Sequence, residues 1–489
     1  METSKPARER DTQDRRREGI VSGVEGFNER GRRAVRDPEL HDSISSFVNK
    51  TLKGREATLG ALPEAPELRD RAYHIKQETM ANLDRYLEQM ADAVEARGGH
   101  IFFAESGEDV VRYIGELARR RGTKVITKSK SMATEEIELN RRLEEGYSDL
   151  GLEIVETDLG EWIAQLAGDH PSHIVGPILH MNARRVAKIL SEAAGEELPP
   201  DAQQLTNFAR GRLRGKFLAA DIGITGANFG IAETGTIVTV TNEGNARLVT
   251  SVPPVHVVVM GIEKLLPRFE DLSVFVQLLS RNGTGQKITV YTNFVTGPRG
   301  EGELDGAEEM HLILMDNGRS KLLGTEFEEA LYCIRCGSCL NVCPVYRQTG
   351  GHAYGSTYSG PIGAVITPLL KGDEEAKDLP HASSLCGACW ETCPVGIPLH
   401  DLLLKLRNRQ VEEGLAGRAQ SLMFKGFEKT MKSPTLYRAG AKAGRVAQKP
   451  AVREGSVRPL PGPMSAWTNT RDLPPLAEKS FRELWKEGI

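Results

Sequence analysis

The sequence predicts an α/β domain with a largely parallel sheet, followed by a smaller helical module that contains every cysteine. Two observations carry this prediction. From about residue 100, short apolar runs such as KVITKS and LEIVETD alternate with helical stretches such as EDVVRYIGELARRRG and NARRVAKILSEAAG. This alternation is typical of a parallel sheet covered by helices. All seven cysteines fall between Cys333 and Cys393.

Length and composition limit the classes to which this protein can belong. A chain of 489 residues with 39% hydrophobic content is long enough for two or three domains of roughly 100–200 residues each. Its net charge of −4 argues against nucleic acid as a partner. No apolar run approaches the roughly 20 residues of a membrane helix, and the N-terminus lacks the apolar stretch of a signal peptide. We therefore expect a cytoplasmic protein without a membrane span.

The order of segments along the chain follows from local composition. Residues 1–40 contain few apolar side chains and predict a disordered extension. Residues 41–310 predict the α/β domain with N-terminal helices, including a long helix over 66–97. A capping-box pattern at 325–328 begins a helix that runs into the cysteine module, 320–415. Residues 416–489 predict a C-terminal extension, which is rich in Gly, Ala, Pro and Arg beyond about residue 440 and has a short helix only at EKSFRELWKEG.

The stretch GTIVTVTNEGNARLVTS predicts two strands around an Asn-Glu-Gly-Asn turn. The glycine-rich segment before it matches neither the dinucleotide fingerprint nor the P-loop. Its backbone could approach a small anion. Glu233, with Arg247, Ser251 and His256 on the following strands, could complete a pocket for a carboxylate. Tight sheet turns with a capped carboxylate explain the same residues equally well.

The run CIRCGSCLNVCP carries the strongest signal in the sequence. Cys333, Cys336, Cys339 and Cys343, followed by Pro344, have the C-x2-C-x2-C-x3-C-P spacing of bacterial ferredoxins. Three closely spaced thiolates can hold one face of an iron–sulfur cubane. The fourth cysteine of such a run ligates the other cluster in two-cluster proteins.

The second run, CGACWETCP, repeats the last three positions of the first, and Ser383 stands where its first cysteine would be. Reciprocal exchange assigns Cys333, Cys336, Cys339 and Cys393 to one cluster. It leaves a second cluster with three thiolates, from Cys343, Cys386 and Cys389. The remaining iron corner is open to Ser383, water, another residue or a substrate, or is absent in a three-iron cluster.

Other interpretations of the cysteine module compete with this one. A structural zinc site also uses four thiolates, but zinc ribbons usually join two distant C-x2-C pairs. Between the runs, His352, Tyr354 and Tyr358 could contact a cluster or a partner, although a tight connecting loop explains them more simply. After the second run, Leu399, Leu402, Leu403 and Leu406 share one face of a helix, which we expect to pack over the clusters.

Taken together, IAETGTIVTVTNEGNARLVTSVPPVHVVV and the two cysteine runs resemble the lactate-utilization protein B family over roughly residues 40–489. The resemblance implies an α/β lactate-utilization domain, similar in fold to ribose-5-phosphate isomerases and CoA-transferases, joined to a helical dicluster ferredoxin module. It also implies two 4Fe–4S clusters on the seven cysteines, with the three-thiolate second site included.

What the resemblance implies for function is an electron-transfer subunit of a three-protein complex that oxidises L-lactate to pyruvate. Its partners would be a cysteine-rich iron–sulfur protein and a second protein with the same α/β domain. A quinone or flavoprotein would accept the electrons. A metabolite-sensing or redox-regulatory iron–sulfur protein is a different hypothesis. A third is an isomerase or CoA-transferase that uses Glu233 and happens to carry clusters.

Overall fold

A computed structural model describes residues 26–415, 417–457, 465–468 and 471–488. The described residues form two compact units, one ending at Gln410 and the other beginning at Val411. The predicted α/β domain and most of the predicted cysteine module therefore lie in the same compact unit. Among the helices of these described ranges, none combines the length and the apolar character that a bilayer span requires.

A six-stranded parallel sheet forms the centre of the first unit, as the alternation of short apolar runs and helices predicted. Its strand order is β1-β10-β7-β4-β2-β3. The strands are β1 (His100–Ala104), β2 (Val125–Lys128), β3 (Glu153–Glu156), β4 (Ile222–Thr225), β7 (Val255–Gly261) and β10 (Glu309–Met315). Every residue of β7 is buried, which fits a central strand covered by helices on both faces.

Helices precede the sheet and connect its strands. Those of this part of the chain are α1 (Phe27–Ala34), α2 (Pro38–Gly60), α3 (Ala65–Ala81), α4 (Leu83–Glu95), α5 (Gly107–Arg121), α6 (Met132–Glu136), α7 (Leu139–Gly146), α8 (Leu159–Ala167), α9 (Ala183–Ala194), α10 (Ala202–Ala219), α11 (Asn245–Ser251) and α12 (Leu272–Gly283). The N-terminus of α5 shows how the sequence sets the start of a helix. Ser106 and Asp109 form a capping box there, which satisfies backbone N–H groups that the helix leaves free.

A second sheet of four strands, in the order β8-β5-β6-β9, lies in the same unit. Its strands are β5 (Phe229–Ile231), β6 (Thr236–Thr241), β8 (Leu265–Leu266) and β9 (Tyr291–Val295). The predicted strand after the Asn-Glu-Gly-Asn turn is wrong, because residues 245–251 form α11. That helix packs directly on β4: a Cβ at Gly223 would lie 2.0 Å from the carbonyl oxygen of Val249. Close packing against the sheet thus favours the helix over a hairpin strand.

The predicted disordered extension is too long. Its first 25 residues lie outside the described residues, but α1 and the start of α2 fall within residues 27–40. The ring of Phe27 packs edge-on against Tyr354, with ring centroids 5.1 Å apart. Arg30 donates from Nε to the carbonyl oxygen of Ala353 at 2.9 Å. Contacts with a segment more than three hundred residues away therefore order a helix whose own composition is polar.

The cysteine module consists of short helices that pack against the α/β part. They are α13 (Ser338–Val342), α14 (Pro344–Thr349), α15 (Gly360–Lys371), α16 (Ala388–Glu391) and α17 (Leu399–Glu412). The predicted helix into Cys333 is a 3-10 helix, Glu328–Tyr332. Leu399, Leu402, Leu403 and Leu406 are all buried in α17, which confirms the predicted apolar face. One apolar core runs continuously from the α/β part into this module.

The second unit is more helical than predicted. It contains α18 (Arg418–Lys432), α19 (Pro434–Gln448), α20 (Ser465–Thr468), α21 (Phe481–Lys486) and a hairpin of β11 (Val452–Arg453) and β12 (Ser456–Val457). The short helix predicted at EKSFRELWKEG is confirmed by α21, which begins in a capping box of Ser480 and Glu483. The two long helices, α18 and α19, were not predicted; only α19 has the high Gly and Ala content that favoured an extension.

Candidate iron–sulfur site and adjoining cavity

The first cysteine run forms a tight turn followed by two short helices. The backbone N–H of Arg335 donates to the Sγ of Cys333 at 3.4 Å, and Arg335 has a positive φ of 57°. Cys343 is the N-cap of α14, where its Sγ accepts a hydrogen bond from the N–H of Tyr346 at 3.5 Å. Pro344 follows at the first helical position, where its missing N–H costs nothing. N–H groups directed at sulfur are typical of iron–sulfur ligand turns.

The electrostatic neighbours of the thiols divide the seven cysteines into two sets. Burial raises the pKa of Cys336, and the nearby thiols of Cys393 and Cys333 raise it further. Burial also raises the pKa of Cys389 to about 12, with further contributions from Cys343 and Cys386. Cys339 adjoins Cys333 and Cys336, and also Cys389 of the other set. Each set therefore brings together cysteines from both runs, and the two sets are adjacent.

This donor set fits iron–sulfur clusters. Cys336, Cys339, Cys343, Cys389 and Cys393 are buried, Cys333 is half-buried and Cys386 is exposed. Crowded, buried thiols resist deprotonation, so they become thiolates only with a cation that offsets their charge. Iron bound to sulfur supplies that charge. Cys333, Cys336, Cys339 and Cys393 would hold one cluster, and Cys343, Cys386 and Cys389 would hold the other.

A cavity of about 280 Å³ adjoins the first set of thiols. It opens at the carboxyl ends of β2, β4 and β7, where ligands of open α/β sheets usually bind. Cys336 and its neighbour Arg335 line the cavity together with residues of the α/β part. A predicted cluster ligand therefore forms part of the wall of this candidate ligand site.

Four cationic side chains line this cavity: Lys130, Lys264, Arg319 and Arg335. Arg319 is fully engaged, because it binds Glu136 through Nη2 at 2.7 Å and Glu263 through Nε at 2.7 Å. Arg335 lies 3.6 Å from Glu263 and stacks on Tyr358 at 4.6 Å from the ring centroid. Burial lowers the pKa of Lys264 to about 8, helped by the charge of Arg335.

Three carboxylates also line the cavity: Asp158, Glu243 and Glu263. Asp158 is the N-cap of α8 and accepts hydrogen bonds from the N–H groups of Gly160 and Glu161. Glu243 accepts a hydrogen bond from the N–H of Leu159 at 3.2 Å. Burial, and then the charge of Asp158, together raise the pKa of Glu243 to about 7. A carboxyl group with this pKa can exchange a proton with a ligand near neutral pH.

The predicted anion pocket of Glu233, Arg247 and His256 is not assembled around this cavity. Arg247 and Ser251 lie on α11, so their predicted position on a strand is wrong. Glu233 is exposed and accepts a hydrogen bond from the N–H of Phe269 at 2.8 Å. His256 is buried and forms a hydrogen bond with Thr225 at 2.8 Å. Burial, and then the charge of His311, lower the pKa of His256 to about 4.

Of the residues predicted between the cysteine runs, Tyr358 lines the cavity and donates its hydroxyl to Glu136 at 2.7 Å. Tyr354 is buried against Phe27, whereas His352 is largely exposed and contacts the carbonyl oxygen of His170 at 2.8 Å. Lys130, Asn245 and Arg335 were not predicted from the sequence as cavity residues. Only Arg335 had a local signal, because it is a cation that lies between Cys333 and Cys336 in the C-I-R-C run.

Comparison with known proteins agrees with this architecture. The family model of the LUD domain matches residues 87–315, that of the 4Fe-4S dicluster domain matches 329–397, and that of the lactate utilisation protein B C-terminal region matches 407–488. The fold and the cysteine site thus define an iron–sulfur protein in which a LUD domain is joined to a dicluster ferredoxin domain.

Full-length relatives specify the family. Lactate utilization protein B of Macrococcus caseolyticus is 47% identical over 95% of this chain and 98% of its own. That of Shouchella clausii is 46% identical over 94% and 96%, respectively. The chain belongs to the lactate utilization protein B family. A solved DUF162 family protein from Deinococcus radiodurans matches 48% of this chain and 98% of its own at 13% identity, with a TM-score of 0.26.

Proposed function

We propose that this chain is the iron–sulfur electron-transfer subunit of a complex that oxidises L-lactate to pyruvate and so supports growth on lactate. The observation that carries the proposal is the position of Cys336, which is both a predicted cluster ligand and part of the cavity wall. A ligand in this cavity would lie beside the first cluster. The names of the full-length relatives supply the metabolic context, lactate utilization.

Oxidation of lactate to pyruvate releases two electrons and two protons. Two 4Fe–4S clusters, when bound, supply one-electron transfer steps. The chain's own residues would bind and orient the substrate and handle protons. Glu243 lines the cavity with a pKa of about 7, which suits acceptance of a proton that the oxidation releases. The other subunits of the lactate-utilization system, and a quinone or flavoprotein acceptor, would complete the electron path.

The test is anaerobic iron and sulfide analysis with electron paramagnetic resonance, before and after L-lactate is added to the chain mixed with its candidate partner subunits. We expect about eight irons per chain for two full cubanes, or about seven if the second cluster lacks one iron. Signals of reduced clusters should appear with L-lactate and not with acetate, which has no hydroxyl group to oxidise.

Two outcomes would contradict the proposal. Zinc in place of iron would refute the clusters themselves. Fully loaded clusters that L-lactate does not reduce in the assembled complex would instead favour the metabolite-sensing function.

A further inference from the structure

We propose that the cavity beside Cys336 binds a small 2-hydroxycarboxylate, with its carboxylate on Lys130 and Arg335 and its hydroxyl on Asn245. This inference rests on the proposed function for the identity of the ligand as lactate. Among the described cavity residues, these three carry buried polar atoms without a hydrogen-bond partner: Lys130 Nζ, Asn245 Oδ1, and Arg335 Nη1 and Nη2. Such atoms are costly to bury unless a ligand or water satisfies them.

The unsatisfied hydrogen-bond donors of the cavity suit an anion. Its carboxylates already have partners: Asp158 and Glu243 accept backbone N–H groups, and Glu263 binds Arg319 and lies 3.6 Å from Arg335 Nη2. The ammonium of Lys130 has no such partner among the described residues. Arg335 is about 8% exposed, and its terminal nitrogens form a planar fork that suits a carboxylate. Hydrogen-bond donors of Lys130 and Arg335 therefore remain for a ligand.

Asn245 adds selectivity for a hydroxyl group. It is also about 8% exposed, and its Nδ2 donates weakly to Thr157 at 3.5 Å. Its oxygen is left to accept a hydrogen bond. A carboxylate offers only acceptors, but the hydroxyl of a 2-hydroxycarboxylate offers the donor that this oxygen lacks.

The size of the cavity admits such a ligand. A cavity needs roughly 10–15 Å³ for each water molecule that it holds, so about 280 Å³ has room for lactate and several waters. Lactate there would share the cavity with Cys336.

Equilibrium binding to the isolated, cluster-loaded chain tests this inference. Anaerobic calorimetry should show L-lactate binding more tightly than propionate, which lacks the hydroxyl, by about fivefold, the value of one neutral hydrogen bond. Asn245→Ala should remove this preference and leave propionate binding unchanged. Lys130→Met should weaken both ligands by about tenfold or more, because a charged hydrogen bond is lost. The exposed Lys124, also replaced by methionine, is the matched control and should have no effect.

Absence of lactate binding, or equal affinity of the wild-type and both cavity variants, would overturn the inference. Failure of the proposed function is a separate result. Lactate that binds here but reduces no cluster in the complex would refute electron transfer alone. Clusters that are reduced in the complex, without lactate binding to this chain, would place the substrate on a partner.

Arg335 needs its own test because it also adjoins Cys333. In Arg335→Gln, we expect L-lactate and propionate affinity to fall by about tenfold. The reduction potential of the first cluster should be measured in the same samples. If the reduction potential of the first cluster shifted while the affinity for both ligands stayed the same, Arg335 would interact only with the cluster thiolates. It would then not be part of the ligand site.

A second inference rests on a different observation, the repeated backbone of the two cysteine runs. Leu385 N–H donates to Ser383 Oγ at 3.1 Å, as Arg335 N–H does to Cys333 Sγ. Leu385 has a φ of 55°, close to the 57° of Arg335. The following glycines also match, with φ values of 82° for Gly387 and 77° for Gly337. Ser383 thus occupies the position equivalent to that of the cluster ligand Cys333.

We infer that Ser383 supplies the oxygen donor at the fourth corner of the second cluster. Ser383 is half-buried and stands in a turn equivalent to that of Cys333, a predicted ligand of the first cluster. A cysteine at this position would therefore meet the same iron with the thiolate that such clusters prefer.

Mössbauer spectroscopy of iron-57-loaded protein tests this assignment. In the wild type, one iron of the second cluster should differ from the others, and Ser383→Cys should make it equivalent to them. Ser383→Ala should lose that iron and give the signal of a three-iron cluster. Ser384→Cys, at the exposed neighbouring residue, is the control. If both Ser383 variants gave the same spectrum as the wild type, the inference would be wrong.

Discussion

Replacing Cys343 by alanine is expected to remove the second cluster and leave the first intact, although Cys343 belongs to the first cysteine run. Replacing Cys393 should do the reverse. The reason is spatial: Cys343 adjoins Cys386, whereas Cys393 adjoins Cys333 and Cys336. Iron content should fall by up to about four atoms per chain in each variant, the content of one cubane. Electron paramagnetic resonance would show which cluster remains.

The two variants control for one another, because each removes one buried thiol from a run that keeps its other cysteines. Cys389→Ala provides a third comparison and should reproduce the spectrum of the Cys343 variant. If Cys343→Ala instead lost the same cluster as Cys336→Ala, each run would hold its own cluster, and the exchange of ligands between runs would be wrong.

Replacing Arg319 by methionine should lower the free energy of unfolding by about 3–5 kcal/mol, the usual cost of removing one partner from a buried ion pair. The side chain is about 1% exposed and lies between Glu136 and Glu263, which are also buried. Without it, Glu136 loses its counter-ion, and Glu263 keeps only the longer contact with Arg335 at 3.6 Å. The shift in the urea midpoint under anaerobic conditions measures the effect.

Two further variants separate this mechanism from a general loss of packing. Arg319→Met combined with Glu136→Gln should recover part of the lost stability, because Glu136 then carries no unpaired charge and Glu263 still has Arg335 at 3.6 Å. Lys216→Met breaks an exposed pair with Glu153, 2.6 Å apart, and should cost no more than about 1 kcal/mol. Equal losses from Arg319→Met and Lys216→Met would contradict the predicted role of burial.

The structural elements that were predicted correctly are those for which a local sequence pattern is compatible with a single kind of structure. The alternating runs of the α/β domain gave a parallel sheet, and the leucines at 399, 402, 403 and 406 gave a buried helical face. Prediction failed where distant contacts decided the outcome. Residues 27–34 are polar but form a helix held by Tyr354 and Ala353. Residues 245–251 form a helix because they pack closely on Gly223.

The candidate site shows the same division. The spacing of the cysteines identified the class of cofactor, because the distance between thiolates along a short turn limits what they can hold together. The predicted anion pocket did not gather around the cavity, because residues close in sequence were assumed to be close in space. Lys130, Asn245 and Arg335 come from three separate segments of the chain and line one cavity. No local pattern connects them.

The sequence alone therefore determined the parallel α/β class, the iron–sulfur class of cofactor and the apolar helix after the cysteines, since each depends on a local pattern of residues. Only the tertiary structure decided that the cysteine module shares a core with the α/β part, that Cys336 lines the cavity, and that Arg319 joins two buried glutamates. These features depend on contacts between segments far apart in the chain. Such contacts depend on the packing of the whole unit and cannot be predicted from the periodicity of apolar side chains along the sequence.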